Sequence, residues 1–240
     1  MMQFTFQGYS DLVDVLRDSG YSFADYHNYA DFSRCVILRH DIDNSIEKAI
    51  ELAELEHKLD VKSTYFVLLT SDFYNPCSKK SLEGLRHIQQ LGHEIGLHFD
   101  EMTYEGSVDV VSAIKREAKI LSGIIETPIT TVSMHRPSQD TLDANYDLYP
   151  MVNSYGKTFF NEFKYLSDSR RRWREPVLDI IKSGEYNRLH ILTHAIWYQE
   201  KEETIHDTIK RFVISANKER YLQEAENIKD IESILNLNEI

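Results

Sequence analysis

Short apolar runs alternate with amphipathic helical segments along most of this 240-residue chain, and this alternation constrains its fold more than any other feature. Helical spacing follows the first run, where Asn44 and Glu47 fit an N-cap with its reciprocal partner, and it recurs over residues 108–122. Strands separated by helices are typical of βα units and hence of a mainly parallel sheet. The runs typical of buried strands cover residues 36–40, 63–69, 93–99, 129–135 and 188–194.

The repeated βα pattern and the chain length favour a single α/β domain over residues 1–240. We predict a distorted (β/α) barrel of about seven strands. From about residue 202, the spacing of Ile205, Ile209 and Val213 predicts a long C-terminal helix, which packs on the barrel or on another subunit. Residues 138–176 show no regular period, so no element is predicted there.

Charge and hydropathy exclude two classes of partner. The formal net charge of -12 argues against nucleic acid, because phosphate binding needs clustered lysine and arginine. No stretch approaches the roughly 18 apolar residues of a membrane span, and the first residues do not resemble a secretory signal. We therefore expect a cytoplasmic protein, and its two cysteines imply no disulfide framework.

Polar residues that can act as catalysts or metal ligands lie at the ends of four predicted strands. In a parallel α/β barrel the loops after the strands form the active-site face, so side chains at these points converge on one end of the barrel. The residues concerned are Asp41, Asp43, His98, His135, Arg136 and His194.

Asp41 and Asp43 are the most informative pair among these residues. In an extended chain, residues two apart point the same way, and two carboxylates held together repel unless a cation or a proton intervenes. A divalent metal resolves this by taking one carboxylate as a ligand, which leaves the other free to accept a proton from water. An acidic patch at a helix start is the alternative, but it does not explain the histidines.

Five motifs resemble, in order and spacing, those of the polysaccharide deacetylase family of carbohydrate esterases. They resemble especially its bacterial branch associated with capsule, O-antigen and other surface-polysaccharide assembly. The resemblance implies a distorted (β/α) barrel that hydrolyses an N- or O-acetyl group with one divalent metal, often zinc. The motifs are ILRHDID, STYFVLL, LGHEIGLHFD, SMHRPS and HILTHAIWY, within about residues 35–200.

Carried over position by position, the resemblance implies a role for each strand-end residue. Asp41 resembles the catalytic base, and Asp43 resembles the first metal ligand. His98 matches the first histidine of the family's His-x-x-x-His metal motif. Arg136 resembles the arginine that orients the base, and His194 resembles the general acid that protonates the leaving group.

One position departs from that pattern. The second histidine of the metal motif should stand where this chain has Met102, and a thioether is a poor ligand for a hard or borderline dication. The third ligand must then come from His135 or Asp100. We prefer His135, because imidazole suits zinc and the residue leaves a strand end.

A basic and aromatic segment after residue 165 is a candidate for substrate binding. Asp168, Arg172 and Trp173 fit a loop that closes over a sugar, since an indole stacks on a pyranose and arginine pairs with phosphate or carboxylate. Trp197 is either a wall of the same pocket or core filler. The alternative for the basic run is a solvated face.

The predicted function is a metal-dependent deacetylase of an acetylated sugar intermediate in surface-polysaccharide synthesis. Its substrate would be a small-molecule or a lipid- or nucleotide-linked sugar, and an oligomer is compatible with the sequence. Two alternatives stay open: a carbohydrate-binding member of the same fold without turnover, which Met102 favours, and a metal hydrolase of another bond.

Overall fold

A computed structural model describes residues 2–104 and 109–240 of the chain. The described chain divides into two compact units, Met1–Glu200 and Lys201–Ile240. The expectation of one domain over residues 1–240 stays a prediction. Residue 108, where the sequence predicted a helix to begin, lies outside the described residues.

The first unit contains a parallel sheet. Seven strands lie in the order β6-β5-β4-β3-β2-β8-β7, and the short β1 pairs with the first half of β2. With the helices around them these strands form the distorted (β/α) barrel that the sequence predicted, which confirms the fold class. The strands are β1 (Ser22–Ala24), β2 (Cys35–Ile42), β3 (Thr64–Leu68), β4 (Glu94–Asp100), β5 (Thr131–His135), β6 (Val152–Asn153), β7 (Lys164–Ser167) and β8 (Arg188–Thr193).

The helices of this unit surround the sheet and follow the predicted βα alternation. Helix α2 begins one residue later than expected: the Ser45 hydroxyl accepts a hydrogen bond from the Lys48 amide at 3.2 Å, so Ser45 and not Asn44 is the N-cap. Ser45 has the extended backbone conformation that an N-cap requires. The helices are α1 (Phe6–Asp18), α2 (Ile46–Lys58), α3 (Lys79–Gln90), α4 (Val110–Ile125), α5 (Gln139–Ala144), α6 (Lys157–Asn161) and α7 (Val177–Ser183).

Strand β2 lies inside the sheet, next to the middle strand β3, and all eight of its residues are buried. It pairs with β3 on one side and with β8 on the other. In the neighbouring ladder of β4 and β5, His98 lies beside Ser133 and Asp100 lies beside His135. Because all these strands are parallel, their carboxyl ends meet at one edge, where the sequence placed the candidate site.

The segment 138–176, which has no regular period, holds short elements. Strands β6 and β7 have two and four residues, and α5 and α6 have six and five. Elements this short span too few residues to establish a repeat.

The second unit contains α8 (Ile205–Asn227), the long C-terminal helix that the sequence predicted. The Thr204 hydroxyl caps it by accepting from the Asp207 amide. Within residues 2–104 and 109–240, no helix combines the length and the apolar character needed to span a bilayer.

Candidate metal centre

Three side chains from the carboxyl ends of β2, β4 and β5 converge at the centre of the candidate site. Asp43 Oδ1 lies 3.3 Å from His98 Nε2 and 3.4 Å from His135 Nδ1. The two imidazole nitrogens lie 3.2 Å from each other. One donor atom from each of these three residues lies within 4.8 Å of the other two, close enough to share one ion, and we call the residues the metal triad.

The spacing of the metal triad fits a zinc-sized ion. Zinc bonded tetrahedrally to nitrogen and oxygen at roughly 2.0–2.1 Å holds its ligand atoms about 3.3 Å apart. The three measured separations, 3.2, 3.3 and 3.4 Å, match one face of such a tetrahedron. Asp43 Oδ1 is also buried without a hydrogen-bond partner, so its lone pairs have no other use among the described residues.

Electrostatics keep the Asp43 carboxyl group ionised. Burial alone would raise its pKa, but the contacts with His135 and His98 and the nearby His194 hold the pKa of Asp43 well below its ordinary value. An ionised carboxylate is the form that binds a dication.

Asp41 lies beside the metal triad and is paired with an arginine. Its Oδ2 atom is 3.4 Å from His98 Nε2. Arg39 Nη2 donates to both carboxylate oxygens at 2.7 Å, and Arg39 Nε donates to Oδ1 at 3.2 Å. Arg39 is fully buried and Asp41 is 5% exposed, so the pair lies inside the barrel.

Arg136 is placed elsewhere. Its guanidinium donates to Asp100 Oδ2 at 3.0 Å, and its side chain is 71% exposed. Among the described residues the arginine in contact with Asp41 is Arg39. The Arg136 backbone has a φ of 45°, in the left-handed region, and its side chain lies at the surface. The role that the resemblance implied for Arg136 stays a prediction.

Asp100, the alternative third ligand, is occupied by other contacts. Its Oδ1 accepts from the Met102 amide at 3.0 Å, and its Oδ2 accepts from Arg136. The nearest approach to the metal triad is 3.9 Å, from Asp100 Oδ2 to His135 Nε2. Met102 itself is 71% exposed. Among the described residues, His135 completes the triad and Asp100 does not.

His194, which follows β8, lies beside the metal triad. Its Nε2 lies 3.7 Å from Asp43 Oδ2, and its Nδ1 donates to Asp168 Oδ1 at 2.6 Å. Asp168 Oδ2 accepts from the Tyr198 hydroxyl at 3.1 Å. Burial would lower the pKa of His194, but the charge of Asp168 and the hydrogen bond to it raise the pKa to about 9.

The residues predicted to contact a sugar differ in their exposure. Asp168 is fully buried, and its carboxylate accepts a hydrogen bond from the His194 imidazole. Its predicted contact with a sugar stays a prediction. Arg172 is exposed, and its amide donates to the Asp168 carbonyl at 3.1 Å. Trp173 is partly buried and Trp197 is 9% exposed. The indole N–H groups of both are buried without a hydrogen-bond partner.

Sequence reasoning missed two contacts of the site. Arg39 carried a signal, because it stands two residues before Asp41 on a strand and therefore shares its face. Nothing in the sequence indicated the hydrogen bond between Asp168 and His194. These residues are 26 positions apart, and Asp168 follows β7, a strand that was not predicted.

Comparison with known proteins gives likenesses to solved structures only. No protein-family model matches the chain, and no curated protein matches it. A pseudoenzyme of the CE4 family from Bacillus anthracis is 15% identical with a TM-score of 0.49, and the match covers 76% of this chain and 62% of that one. This chain thus spans less than two thirds of the pseudoenzyme's length.

Two further structures have similar scores. A polysaccharide deacetylase from Bacillus cereus is 14% identical with a TM-score of 0.47, and the match covers 77% of this chain and 89% of that one. A family 4 acetyl xylan esterase from Clostridium thermocellum, in complex with a cobalt ion, is 15% identical with a TM-score of 0.43, covering 77% and 84%. Identity this low gives no residue-level correspondence with those proteins.

Proposed function

We propose that this chain is a metal-dependent hydrolase that removes an acetyl group from an acetylated carbohydrate. The observation that carries the proposal is the convergence of the metal triad with Asp41 and His194 at one edge of the sheet. A carboxylate base, a ligand set for a dication and an imidazolium acid are the groups that hydrolysis of an ester or amide needs. The family resemblance of the motifs supports acetyl as the group removed.

Each residue has a part that follows from its contacts. Asp43, His98 and His135 would hold the dication, which supplies electrophilic polarisation of a carbonyl and lowers the pKa of water. Asp41 accepts the proton of the attacking water through the oxygen that faces His98. His194 donates a proton to the departing nitrogen or oxygen.

The proton on His194 is available at neutral pH. Beside Asp168 its pKa is raised to about 9, so the imidazole of the metal-free protein is largely protonated at neutral pH. Asp168 and Tyr198 fix its orientation, because the bond from Nδ1 to Asp168 leaves Nε2 directed towards Asp43. This arrangement resembles the imidazole and carboxylate pair that enzymes use to hold a general acid.

The metal triad favours turnover over a binding-only role. Met102 was the feature that favoured a degenerate site, because it stands where a histidine ligand is expected. His135 supplies a third donor, so a three-ligand set is available without residue 102. Three protein ligands with an open position are typical of catalytic zinc sites.

The finer parts of the proposal concern the metal and the substrate. We propose zinc, because two imidazoles and a carboxylate suit it and the spacings fit. We propose an acetylated intermediate of surface-polysaccharide synthesis on an anionic carrier, processed in the cytoplasm. The exposed guanidinium groups of Arg136 and Arg172 support an anionic carrier, since arginine binds phosphate and carboxylate.

Metal analysis combined with acetate release tests the proposal. Purified protein is assayed on acetamido sugars, O-acetyl sugars and their nucleotide-linked forms, before and after treatment with chelator and with zinc added back. We expect about one metal per chain and acetate release that follows the metal. The matched control is Asp41→Asn, which should bind metal but lose roughly 10²–10⁴-fold in turnover.

The other outcomes separate the alternatives. Metal without acetate on any of these substrates would mean that another bond is cleaved. Sugar binding with neither metal nor acetate would mean a binding module.

A further inference from the structure

The interior of the barrel holds a buried arginine beside the proposed base. We propose that Arg39, and not Arg136, is the positioning residue that orients Asp41, an inference that rests on the proposed function. It assigns the role to a residue inside β2, two positions before the carboxylate that it holds.

The hydrogen bonds from Arg39 fix both the position and the plane of the Asp41 carboxylate. Arg39 Nη2 lies 2.7 Å from both oxygens of Asp41, and Nε lies 3.2 Å from Oδ1. Charge-assisted bonds of this kind define the plane as well as the position of a carboxylate. Oδ1 accepts two of these three bonds, which leaves Oδ2 as the freer oxygen, 3.4 Å from His98 Nε2.

The guanidinium is itself held from several sides. It donates to the Ser133 hydroxyl on β5, and Nη1 donates to the Ser154 hydroxyl at 3.3 Å. Its carbon lies 4.9 Å from the centre of the Phe66 ring and 5.3 Å from that of Tyr155.

The support for the arginine is tied to the metal triad. Ser133 is the register partner of His98, so the strand pair that presents a ligand also supports the arginine. A shift of the guanidinium would therefore move Asp41 relative to the triad.

Burial distinguishes this pair from the one made by Arg136. Arg39 is fully buried, where an ion pair is little screened by water, and an unpaired partner would be costly. Arg136 is 71% exposed and holds Asp100 at the rim. Its place fits contact with an anionic substrate and not alignment of the base.

Steady-state kinetics of matched arginine variants test the assignment. For Arg39→Gln we expect kcat to fall roughly a hundredfold, the loss typical of a misplaced reacting group, with KM within about threefold of wild type and metal content unchanged. Arg39→Lys should recover part of kcat, because it restores the charge without the planar contact. Arg136→Gln should act mainly on the KM of anionic substrates.

Coupling to Asp41 separates positioning from a general structural role. The double variant Arg39→Gln/Asp41→Asn should lose no more kcat than Asp41→Asn alone, because Arg39 acts only through that carboxylate. If Arg39→Gln fails to fold, Ser133→Ala/Ser154→Ala loosens the guanidinium without leaving a buried charge unpaired, and we expect a kcat loss of roughly tenfold at unchanged KM. Wild-type kcat in Arg39→Gln or in the serine variant, or a larger kcat loss in Arg136→Gln, would overturn the assignment.

A crystal structure of metal-loaded Arg39→Gln supplies a readout that does not need activity. We expect Asp41 Oδ2 to leave its place 3.4 Å from His98 Nε2, while Asp43, His98 and His135 keep theirs. An unmoved Asp41 would refute the inference even if wild type releases acetate. A wild type without acetate release would refute the proposed function, while a displaced Asp41 would still support Arg39 as the group that orients it.

Discussion

Two clusters in the first unit each combine a carboxylate with two imidazoles, but they are completed in different ways. The metal triad is one. The other, the Glu56 cluster, contains Glu56, His40 and His93 together with the hydroxyls of Tyr9, Ser63 and Tyr65. Residue types alone do not distinguish them, so the difference must lie in how each polar atom is satisfied.

In the Glu56 cluster every carboxylate oxygen is saturated by hydrogen bonds. Glu56 Oε1 accepts from Tyr9 at 2.5 Å and from His40 at 2.9 Å. Oε2 accepts from Ser63 at 2.6 Å and from Tyr65 at 2.7 Å. Burial would raise the pKa of Glu56, but the charge of His40 and its hydrogen bond outweigh burial and lower the pKa to about 2. A network this complete stabilises the fold and leaves no lone pair for a ligand.

The metal triad has the opposite character. Asp43 Oδ1 is within 3.4 Å of two imidazole nitrogens, yet it accepts no hydrogen bond. Its lone pairs and the imidazole nitrogens converge on one point, which is favourable only when a cation or shared protons lie between them. Converging polar atoms without hydrogen-bond partners, as at Asp43, therefore indicate a binding site. A carboxylate whose oxygens all accept hydrogen bonds, as in Glu56, indicates a structural role.

Removing Asp43 gives the largest effect that this comparison predicts. Asp43→Asn should weaken zinc binding by at least roughly a hundredfold, because loss of a group that only hydrogen-bonds to a ligand can already cost that much. It should also abolish metal-dependent acetate release. Zinc titration against a competing chelator measures the affinity. Glu56→Gln is the matched control, and it should bind zinc as wild type does. Wild-type zinc affinity in Asp43→Asn would show that the triad is not the metal site.

Removing Glu56 should affect stability instead. Glu56→Ala leaves two tyrosines, a serine and His40 without their buried acceptor, and we expect the free energy of unfolding to fall by about 3–5 kcal/mol. Urea unfolding at pH 7 measures this loss. Glu56→Gln keeps the shape and one acceptor, so its loss should be smaller. Equal stability of Glu56→Ala and wild type would show that the cluster is not structural.

The placement of the metal triad could be predicted from the sequence because it depends on strand ends. His98 and His135 close apolar runs, and parallel strands bring their ends to one edge whatever the details of packing. The same reasoning placed Asp43 and His194. This prediction requires only that side chains alternate along a strand and that strands alternate with helices.

The supporting contacts could not be predicted, because they depend on tertiary packing. Ser133 lies 94 positions from Arg39, and Asp168 lies 26 from His194. Glu56 lies on a helix, where a charged residue is usually exposed to solvent. It is fully buried, and nothing in the neighbouring sequence indicates this. The motif likeness pointed to Arg136 alone, because likeness reports position in the chain and not side-chain direction.

Acid should weaken the Glu56 cluster in a defined window. The folded-state pKa of Glu56, about 2, lies below its ordinary value of 4.5, so ionised Glu56 stabilises the fold fully above pH 4.5. This contribution is lost as the pH falls from about 4.5 to about 2, and at pH 3 the loss is about 2 kcal/mol. Between pH 7 and pH 3, wild type should therefore lose about 2 kcal/mol more unfolding free energy than Glu56→Gln. An equal loss in the two proteins would contradict the depressed pKa.

Substituting either of two neighbouring tyrosines, one linked to each cluster, should give the smallest effects and the most direct comparison of the clusters. The rings of Tyr9 and Tyr198 meet edge to face, with centroids 5.3 Å apart, but Tyr9 donates to Glu56 and Tyr198 donates to Asp168. Tyr9→Phe should cost about 1–2 kcal/mol of unfolding free energy and leave kcat unchanged, because the hydrogen bond that is lost goes to Glu56 and not to the Asp168 that holds His194.

Tyr198→Phe makes the same chemical change on the catalytic side. It should lower kcat by roughly tenfold, because Asp168 then holds His194 with one fewer restraint. Urea unfolding and acetate release are measured on both variants. A kcat loss in Tyr9→Phe as large as that in Tyr198→Phe would show that the two clusters act as one network, since the two variants differ only in which buried carboxylate loses its donor.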